Sequence, residues 1–530
     1  MPGVSPTLLT PYGYSSGTCG YCSPSGERSK GKTSSKYGMV SEQMTPRFYQ
    51  NLIDRGWRRS GDYLYHPDMA RTCCPQYTIR LNALDFHFNK KQKQVINRFN
   101  RYLETGQKPG DSHPPPPPPS NPASSPGSGS GCQVIISGTT ERPGRVESLK
   151  GGANDRGKGK GKNNGKGKGK NNGPTAERNL FDELHAFEDG FGDGDRMLAH
   201  RFETELVPAK ATPETFELYK AYQVSVHKDK PSECTMRGFS RFLCGETLVK
   251  IPIEYKDEES IKRAVKRRHL PSDYGQYHLL YRVDSKLIGI SVVDVLPACV
   301  SSVYFIWHPD WAWASLGKLS ALYEVSLVRR MNAAGAPEMK WSYMGYWVPD
   351  CQKMRYKSEY APSELLDPGT NVFHPLSPDL EKFLVDHPTG YFPFESILEH
   401  HPSATLPAVT RYKSPKVEAD IIGDDEEMTS DRDDSDDEEE VDVSTSWPSP
   451  SPPGFADPSS LTNKQIESIY LLMGKGRNRN IVPVGHLEFG DPKSVGREIR
   501  EFVAAVGIDD IAHVGMKGKV GEDKALLYFG

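Results

Sequence analysis

Residues 277–307 read YHLLYRVDSKLIGISVVDVLPACVSSVYFIW, and this stretch decides the architecture. It predicts three consecutive strands, Tyr277–Asp284, Lys286–Leu296 and Val300–Trp307, the first two joined at Asp284-Ser285. Working outward, Phe216–Val226 and Ser260–Arg268 have helical patterns upstream. Downstream, Ser315–Met331 carries apolar residues at Leu316, Leu319, Tyr323, Leu327 and Val328, the spacing of a packed helix, and Met339–Tyr346 reads as a further strand. Two helices, an antiparallel meander and a strand–helix–strand crossover are therefore expected in that order.

That order suits an α+β acyltransferase fold of the GNAT type, in which two central strands part and leave a cleft for an acyl donor. Coenzyme A, the usual donor there, rests its pyrophosphate on amides at a helix N-terminus. The corresponding junction here, His308-Pro-Asp-Trp-Ala-Trp-Ala-Ser-Leu-Gly-Lys318, has a single glycine and is aromatic instead, with Trp307, Trp311 and Trp313 close together and Lys318 just inside the helix. Such a junction either stacks on an unpaired nucleotide or packs as core and rim.

Two pairs of cysteines lie near the start of the chain, Cys19 and Cys22 as a CxxC and the vicinal Cys73-Cys74. Four thiolates make a complete soft, four-coordinate site that suits zinc and an iron–sulfur cluster equally. The alternative is a set of disulfides. Residues 1–10 lack the basic and apolar regions of a secretory leader and the chain offers no membrane-spanning run, so a reducing, cytoplasmic and also nuclear setting is expected, where disulfides seldom persist. Around the pairs, Thr45-Pro46 opens a short helix that stops at Gly56, and Tyr63–Tyr65 and Tyr77–Leu81 read as strands. Lys90–Leu103 then forms a helix with an apolar stripe of Val95, Ile96, Phe99 and Leu103 and a basic face of Lys90, Lys91, Lys93, Arg98 and Arg101, ended by Gly106.

With 43 prolines, 49 glycines and 36% hydrophobic residues among 530, much of the chain cannot be core. The net charge of -3 is the balance of a basic first half and an acidic run near Asp424, so partners are judged segment by segment. The reading divides the chain into a Cys-rich α+β domain over 12–106, a disordered Pro/Gly/Ser/Lys-rich linker over 107–177, a GNAT-like transferase domain over 178–410, an acidic disordered segment over 411–458 and a small C-terminal appendix over 459–530 that carries no chemical motif. The Gly-Lys-Asn tract within 155–173 is either a plain linker or a cationic arm for RNA phosphates.

Taken together, the cysteine pairs, Trp57-Arg-Arg-Ser-Gly61, Tyr65-His-Pro67, Tyr77-Thr-Ile-Arg-Leu81, Arg241-Phe-Leu-Cys244, Gly275-Gln-Tyr-His278, Ser301-Ser-Val-Tyr-Phe305, Ser315-Leu-Gly-Lys-Leu319 and Tyr343-Met-Gly-Tyr-Trp347 make the chain closely similar to eukaryotic, fungal-like arginyl-tRNA–protein transferases over Cys19–Leu103 and about Phe202–Ala408. Cys244-Gly-Glu-Thr-Leu248 departs from the Ser-Pro-Leu turn more usual in that family. The resemblance implies transfer of arginine from arginyl-tRNA to the α-amino group of proteins beginning with Asp, Glu or oxidised Cys, marking them for ubiquitin-dependent degradation through the N-degron pathway, by a monomeric enzyme that needs neither ATP nor coenzyme A.

The chemistry assigns expected roles. An aminoacyl ester is already activated, so the enzyme must position two substrates, keep the attacking amine neutral and stabilise an oxyanion. Asp294, interrupting the apolar strand Ile288–Leu296, is the expected proton acceptor facing the amine, or else a structural ion-pair partner. Arg330, Arg355 and Lys357 are the expected cations for an acidic acceptor side chain, with Tyr343 beside them. Lys90, Lys91, Lys93 and Lys318 are expected to meet tRNA, and Cys19, Cys22, Cys73 and Cys74 to hold the metal. Two other readings stay open at this stage: a coenzyme A-dependent N-acetyltransferase, against which the glycine-poor junction speaks, and a non-enzymatic zinc- and RNA-binding adaptor, against which the acyltransferase core speaks.

Overall fold

Asp284 and Ser285 both sit at positive φ, 49° and 66°, the mirror-image turn whose twist matches that of the strands it joins. The Asp284 carboxylate accepts from the Arg201 main-chain N–H at 2.9 Å and from His200 Nδ1 at 2.7 Å, which fixes the turn. In the computed structural model the strands Asp273–Val283, Lys286–Val295 and Cys299–Trp307 run antiparallel from this hairpin, as expected. The structure describes residues 6–22, 28–111, 180–191, 198–256, 258–266, 269–336, 338–399, 446–474, 479–487, 492–514 and 523–528. The polyproline, the Gly-Lys tract and the acidic run lie outside them.

The meander belongs to a nine-stranded sheet. After Cys299–Trp307 the chain turns into the helix Leu316–Ala333, whose Leu319, Leu322, Tyr323, Leu327 and Val328 are buried, and returns as the strand Trp341–Trp347. These two strands are parallel, joined by a helical crossover. Beyond Trp341–Trp347 the sheet continues through Tyr77–Asn82, Ser363–Asp367 and Val372–Pro375. The 12–106 stretch is therefore not self-contained: its strand Tyr77–Asn82 pairs with Trp341–Trp347, and Ile96, Phe99 and Leu103 of the helix Lys90–Thr105 share a core with Leu319 and Tyr323. Gly106, at φ 73°, terminates that helix as expected.

A second sheet has seven strands, and both ends of the described chain build it. Thr7–Gly17 pairs antiparallel with Ser34–Gln43 and parallel with Ala525–Tyr528, which leads on to Tyr470–Met473 and Asn480–Pro483. Ile499, Phe502 and Val503 of the helix Pro492–Val506 pack with Leu9, Phe48 and Leu52. The expectation of an appendix over 459–530 is thus corrected. The apolar start Leu8-Leu9 would leave an open sheet edge, and the C-terminal strand Ala525–Tyr528 covers it. Among the described residues no helix is long and apolar enough to cross a membrane.

Candidate functional site

Cys299–Trp307 and Trp341–Trp347 are paired only from Cys299 to Ser301 and from Trp341 to Tyr343. Gly345 then takes φ 72°, a conformation that Cβ-bearing residues rarely adopt, and the strand's register against Tyr77–Asn82 shifts there. The two strands part, and a cavity of ≈ 110 Å³ opens between Ser302–Phe305 on one side and Met344–Tyr346 on the other. The expected parting of central strands is present as geometry.

Cations line this cavity. Lys357 is 5% exposed, and its Nζ donates to the Tyr346 carbonyl at 2.7 Å and approaches Met354 Sδ at 3.4 Å. Arg58 is similarly buried. It donates to the Trp57 carbonyl at 2.7 Å and the Gly345 carbonyl at 3.3 Å, and lies over the Tyr346 ring at 5.2 Å. Its Nε has no partner, and among the described residues no carboxylate pairs with it. Its hydrogen bonds go to neutral carbonyls and not to a carboxylate, so the guanidinium has donor capacity to offer an incoming anion.

Arg59, also in the cavity wall, is saturated instead. Its Nε and NH2 donate to the two oxygens of Asp294 at 2.8 and 2.6 Å, and its NH1 donates to the Gly61 carbonyl at 3.0 Å. Asp294 is 0% exposed and is not on the cavity surface. The placement differs from the expectation that it faces the attacking amine. The strand interruption legible at this position is one half of a buried ion pair whose other half, Arg59, comes from the N-terminal segment.

Other expected site residues disperse. Arg330 donates to the His269 carbonyl at 2.5 Å and lies over Phe191 at 5.3 Å, at the far end of its helix and outside the cavity. Burial pulls its guanidinium below the ordinary value, with Glu188 opposing that shift. Arg355 is exposed and Tyr343 is buried behind the wall, its hydroxyl donating to Asp54 and accepting from Arg80 NH1 at 3.4 Å. Neither lines the cavity. Lys90 and Lys93 are exposed on their helix, Lys91 is engaged with Glu359 at 2.6 Å, and Lys318 lies 5.9 Å from the Tyr356 ring. Trp307 is core, while Trp311 and Trp313 are half-buried, stack on each other at 5.6 Å and meet Tyr102 at 5.4 and 5.0 Å.

Sequence reasoning left Arg58, Ser302 and Glu324 without a role. Glu324 is buried on the inner face of the helix Leu316–Ala333, and its Oε1 accepts from Ser302 Oγ at 3.3 Å and from Ser291 Oγ. The signal was there: Glu324 lies four residues after Ser320 and four before Val328, on the helix's buried stripe.

The thiolate centre is built by two loops. Cys19 and Cys22 follow the strand Thr7–Gly17, and Cys73-Cys74 lie between Tyr63–Pro67 and Tyr77–Asn82. The Cys73 main chain donates to the Thr33 carbonyl at 2.9 Å, Cys19 N to Ser29 Oγ at 2.8 Å and Tyr21 N to Cys19 Sγ at 3.4 Å. All four sulfurs lie within 4.8 Å of one another, with Cys22–Cys73 at 3.7 Å and Cys73–Cys74 at 3.9 Å, and all four are free thiols. A disulfide would need about 2.05 Å. A single tetrahedral ion with metal–sulfur bonds of about 2.3 Å sets its sulfurs about 3.8 Å apart, which the set fits. Tyr65, Tyr346 and Met354 pack with these cysteines and also line the cavity, so one wall serves both.

Two family models match the chain. The one described as the N terminus of arginine-tRNA-protein transferase covers residues 17–94, which include the four cysteines and Arg58. The one described as its C terminus covers residues 214–367, which include Ser302, Glu324 and Lys357. Arginyl-tRNA–protein transferase 1 of Drosophila melanogaster is similar, 30% identical over 447 residues, covering 72% of this chain and 85% of its own. Arginyl-tRNA–protein transferase 2 of Arabidopsis thaliana is 29% identical over 460 residues, covering 68% and 74%. An aspartate/glutamate leucyltransferase of Campylobacter jejuni is 34% identical over 97 residues, 18% of this chain and 38% of its own. Since the matched N-terminal stretch supplies the thiolates and Arg58 and the matched C-terminal stretch supplies the parted strands and Lys357, the chain belongs to the arginyl-tRNA–protein transferase family.

Proposed function

We propose that the protein transfers arginine from arginyl-tRNA to the α-amino group of proteins with N-terminal Asp, Glu or oxidised Cys, marking them for degradation, and that the bond forms in the cavity between the parted strands of a GNAT-like core. The observation that carries this reading is the pair of buried cations, Lys357 and Arg58, lining a cavity at the point where the two parallel strands separate. The Campylobacter relative's name assigns aspartate and glutamate to that protein, and buried cations are the chemistry an acidic acceptor side chain needs here.

The arginyl ester brings its own activation, so catalysis consists of placing the amine on the carbonyl carbon and receiving the charge that develops on its oxygen. Beyond Ser301 and Tyr343 the facing edges of the two strands are not paired with each other, which leaves main-chain N–H groups to meet the oxyanion. Lys357 and Arg58 hold the acceptor carboxylate, and Asp294 acts through Arg59 by holding that residue in the cavity wall. The exposed Lys90 and Lys93, with Lys318 and the Trp311–Trp313 stack, form the side on which tRNA approaches, phosphates on the lysines and an unpaired base on the rings.

The four thiolates hold one tetrahedral ion of the zinc type, because a cluster would wedge several irons between sulfurs that lie within 4.8 Å of one another. When bound, such an ion supplies structural cross-linking of two loops rather than chemistry at the carbonyl. The test is incorporation of labelled arginine from charged tRNA into matched peptides beginning with Asp, Asn or Ala. Transfer to the Asp peptide alone is expected, and equal labelling of all three would overturn the assignment.

A further inference from the structure

Glu324 is a carboxylate in an expensive place. It is 2% exposed, and among the described residues no Lys, Arg or His lies within ion-pair distance. A buried charge without a partner costs several kcal/mol, and a leucine at this helix position would fill the core at lower cost. What Glu324 has instead is two hydroxyls from neighbouring strands, Ser291 Oγ, itself 0% exposed, and Ser302 Oγ at 3.3 Å. Ser302 is half-buried and on the cavity surface. A single hydroxyl therefore connects the cavity to a carboxyl group sealed behind it.

We infer that Glu324 is the terminal proton acceptor of arginyl transfer, reached from the cavity through the Ser302 hydroxyl. The inference rests on the reading of the cavity as the place of reaction. The acceptor's ammonium gives one proton to Ser302 Oγ as Ser302 passes its own to Glu324, and the neutral amine then attacks the ester carbonyl carbon. On collapse the carbon–oxygen bond to the ribose breaks, and the ribose oxygen leaves with a second proton from the attacking nitrogen, which keeps its third as the amide N–H. The proton on Glu324 returns through Ser302 to solvent, so the group starts each turnover ionised. Burial raises its pKa to about 7, with the Ser291 and Ser302 hydrogen bonds and the field of Lys357 opposing. Tyr281 is the other titratable group coupled to it. An acceptor of this strength is matched to work near neutral pH. Ser291 holds the carboxylate in place, and of these three relay residues Ser302 alone touches substrate.

Single-turnover transfer from preformed arginyl-tRNA to an Asp-initiated peptide, followed from about pH 5.5 to about pH 9, tests the relay. The wild-type rate is expected to rise with one limb near pH 7 and a second near pH 8 belonging to the peptide's own α-amine. Glu324→Gln and Ser302→Ala should each lose the lower limb and about a hundredfold in rate, the double variant should be no slower than either, and Ser302→Thr, which keeps the hydroxyl, should restore the limb. The Ser302 pair decides the matter even where Glu324→Gln fails to fold. An active wild type whose lower limb survives unchanged in Ser302→Ala overturns the relay alone. A wild type that transfers no arginine overturns the cavity reading and this inference with it.

Discussion

Arg59 and Asp294, 235 positions apart in the chain, meet as a two-pronged ion pair with N···O distances of 2.8 and 2.6 Å and side chains only 2% and 0% exposed. The pair fastens the short strand Arg58–Ser60 of the seven-stranded sheet to the Lys286–Val295 strand of the nine-stranded sheet, directly behind the cavity. Removing one partner leaves the other charge buried and uncompensated, at about 3 to 5 kcal/mol. Asp294→Asn and Arg59→Met are therefore expected to be strongly destabilised in urea titrations. The double variant Arg59→Met/Asp294→Leu should regain most of the stability without regaining the transfer rate, because the cavity wall loses its fixed guanidinium. Full activity in the double variant would reduce the pair to packing.

Acceptor choice is expected to depend on Lys357 and Arg58 and not on Arg330, which is engaged with the His269 carbonyl at the other end of its helix. Loss of one charge-assisted contact costs about 1.5 to 3 kcal/mol, roughly tenfold to a hundredfold in kcat/KM. Lys357→Met should lower the rate on Asp peptides by that factor and leave Asn peptides nearly unchanged, which narrows the ratio between them. An unaltered Asp-to-Asn ratio in both Lys357→Met and Arg58→Met would remove the two cations from acceptor recognition.

How much of this was legible follows from the range over which each signal acts. The Asp284-Ser285 turn, the helix stop at Gly106 and the crossover around Leu316–Ala333 are local, set by φ preferences and apolar period, and are where the sequence places them. Asp294 was recognisable as an anomaly in an apolar strand, but its partner lies 235 positions away and nothing local names Arg59. The same limit hides the role of Ala525–Tyr528, a short apolar strand whose neighbour, Thr7–Leu9, is at the other end of the chain. Arg330 and Lys357 read alike as basic residues in the sequence. Only the third dimension puts one at the cavity and the other at the far end of its helix.

Truncation tests that long-range pairing. Ending the chain before 446 removes the strands Tyr470–Met473, Asn480–Pro483 and Ala525–Tyr528, exposes the edge of Thr7–Gly17, and strips Phe455 from Trp57 and His66, which it meets at 6.0 and 4.7 Å. The shortened protein is expected to aggregate or to lose activity entirely. Deleting 157–173, which lies outside the described residues, should cost little. A soluble, fully active truncation would return the C-terminal segment to the status of an appendix.

Replacing Cys19, Cys22, Cys73 or Cys74 by Ser should abolish stoichiometric metal, measured by elemental analysis, and lower the melting temperature, since binding free energy at such a site is folding free energy. Because Tyr65, Tyr346 and Met354 join the thiolate cluster to the cavity, the surviving folded fraction should also show a raised KM for acceptor peptide. Cys351, which packs in the same cluster, is the control: Cys351→Ala should retain the full complement of metal. Undiminished metal in all four ligand variants would dismiss the site.

The raised pKa of Glu324 carries a stability signature that is independent of catalysis. In the unfolded chain the group titrates near its ordinary value of 4.5, and in the fold burial moves it to about 7. Between those values the native state holds a proton that the unfolded state has released, so stability falls as pH rises across the window. Below about pH 4.5 the contribution is fully present, and above about pH 7 it is gone. The shift corresponds to about 3 kcal/mol, with little solvent screening to discount for a side chain that is 2% exposed. Glu324→Gln keeps an acceptor for both serines and has no proton to lose, so its unfolding free energy should lack this component. The informative quantity is the difference between wild type and variant in urea titrations taken at steps from about pH 5 to about pH 8, since other titrating groups cancel in it. That difference should shift by up to about 3 kcal/mol in the variant's favour as pH rises. A difference constant across the range would mean that Glu324 is ionised throughout, and the acceptor role would lose its physical basis.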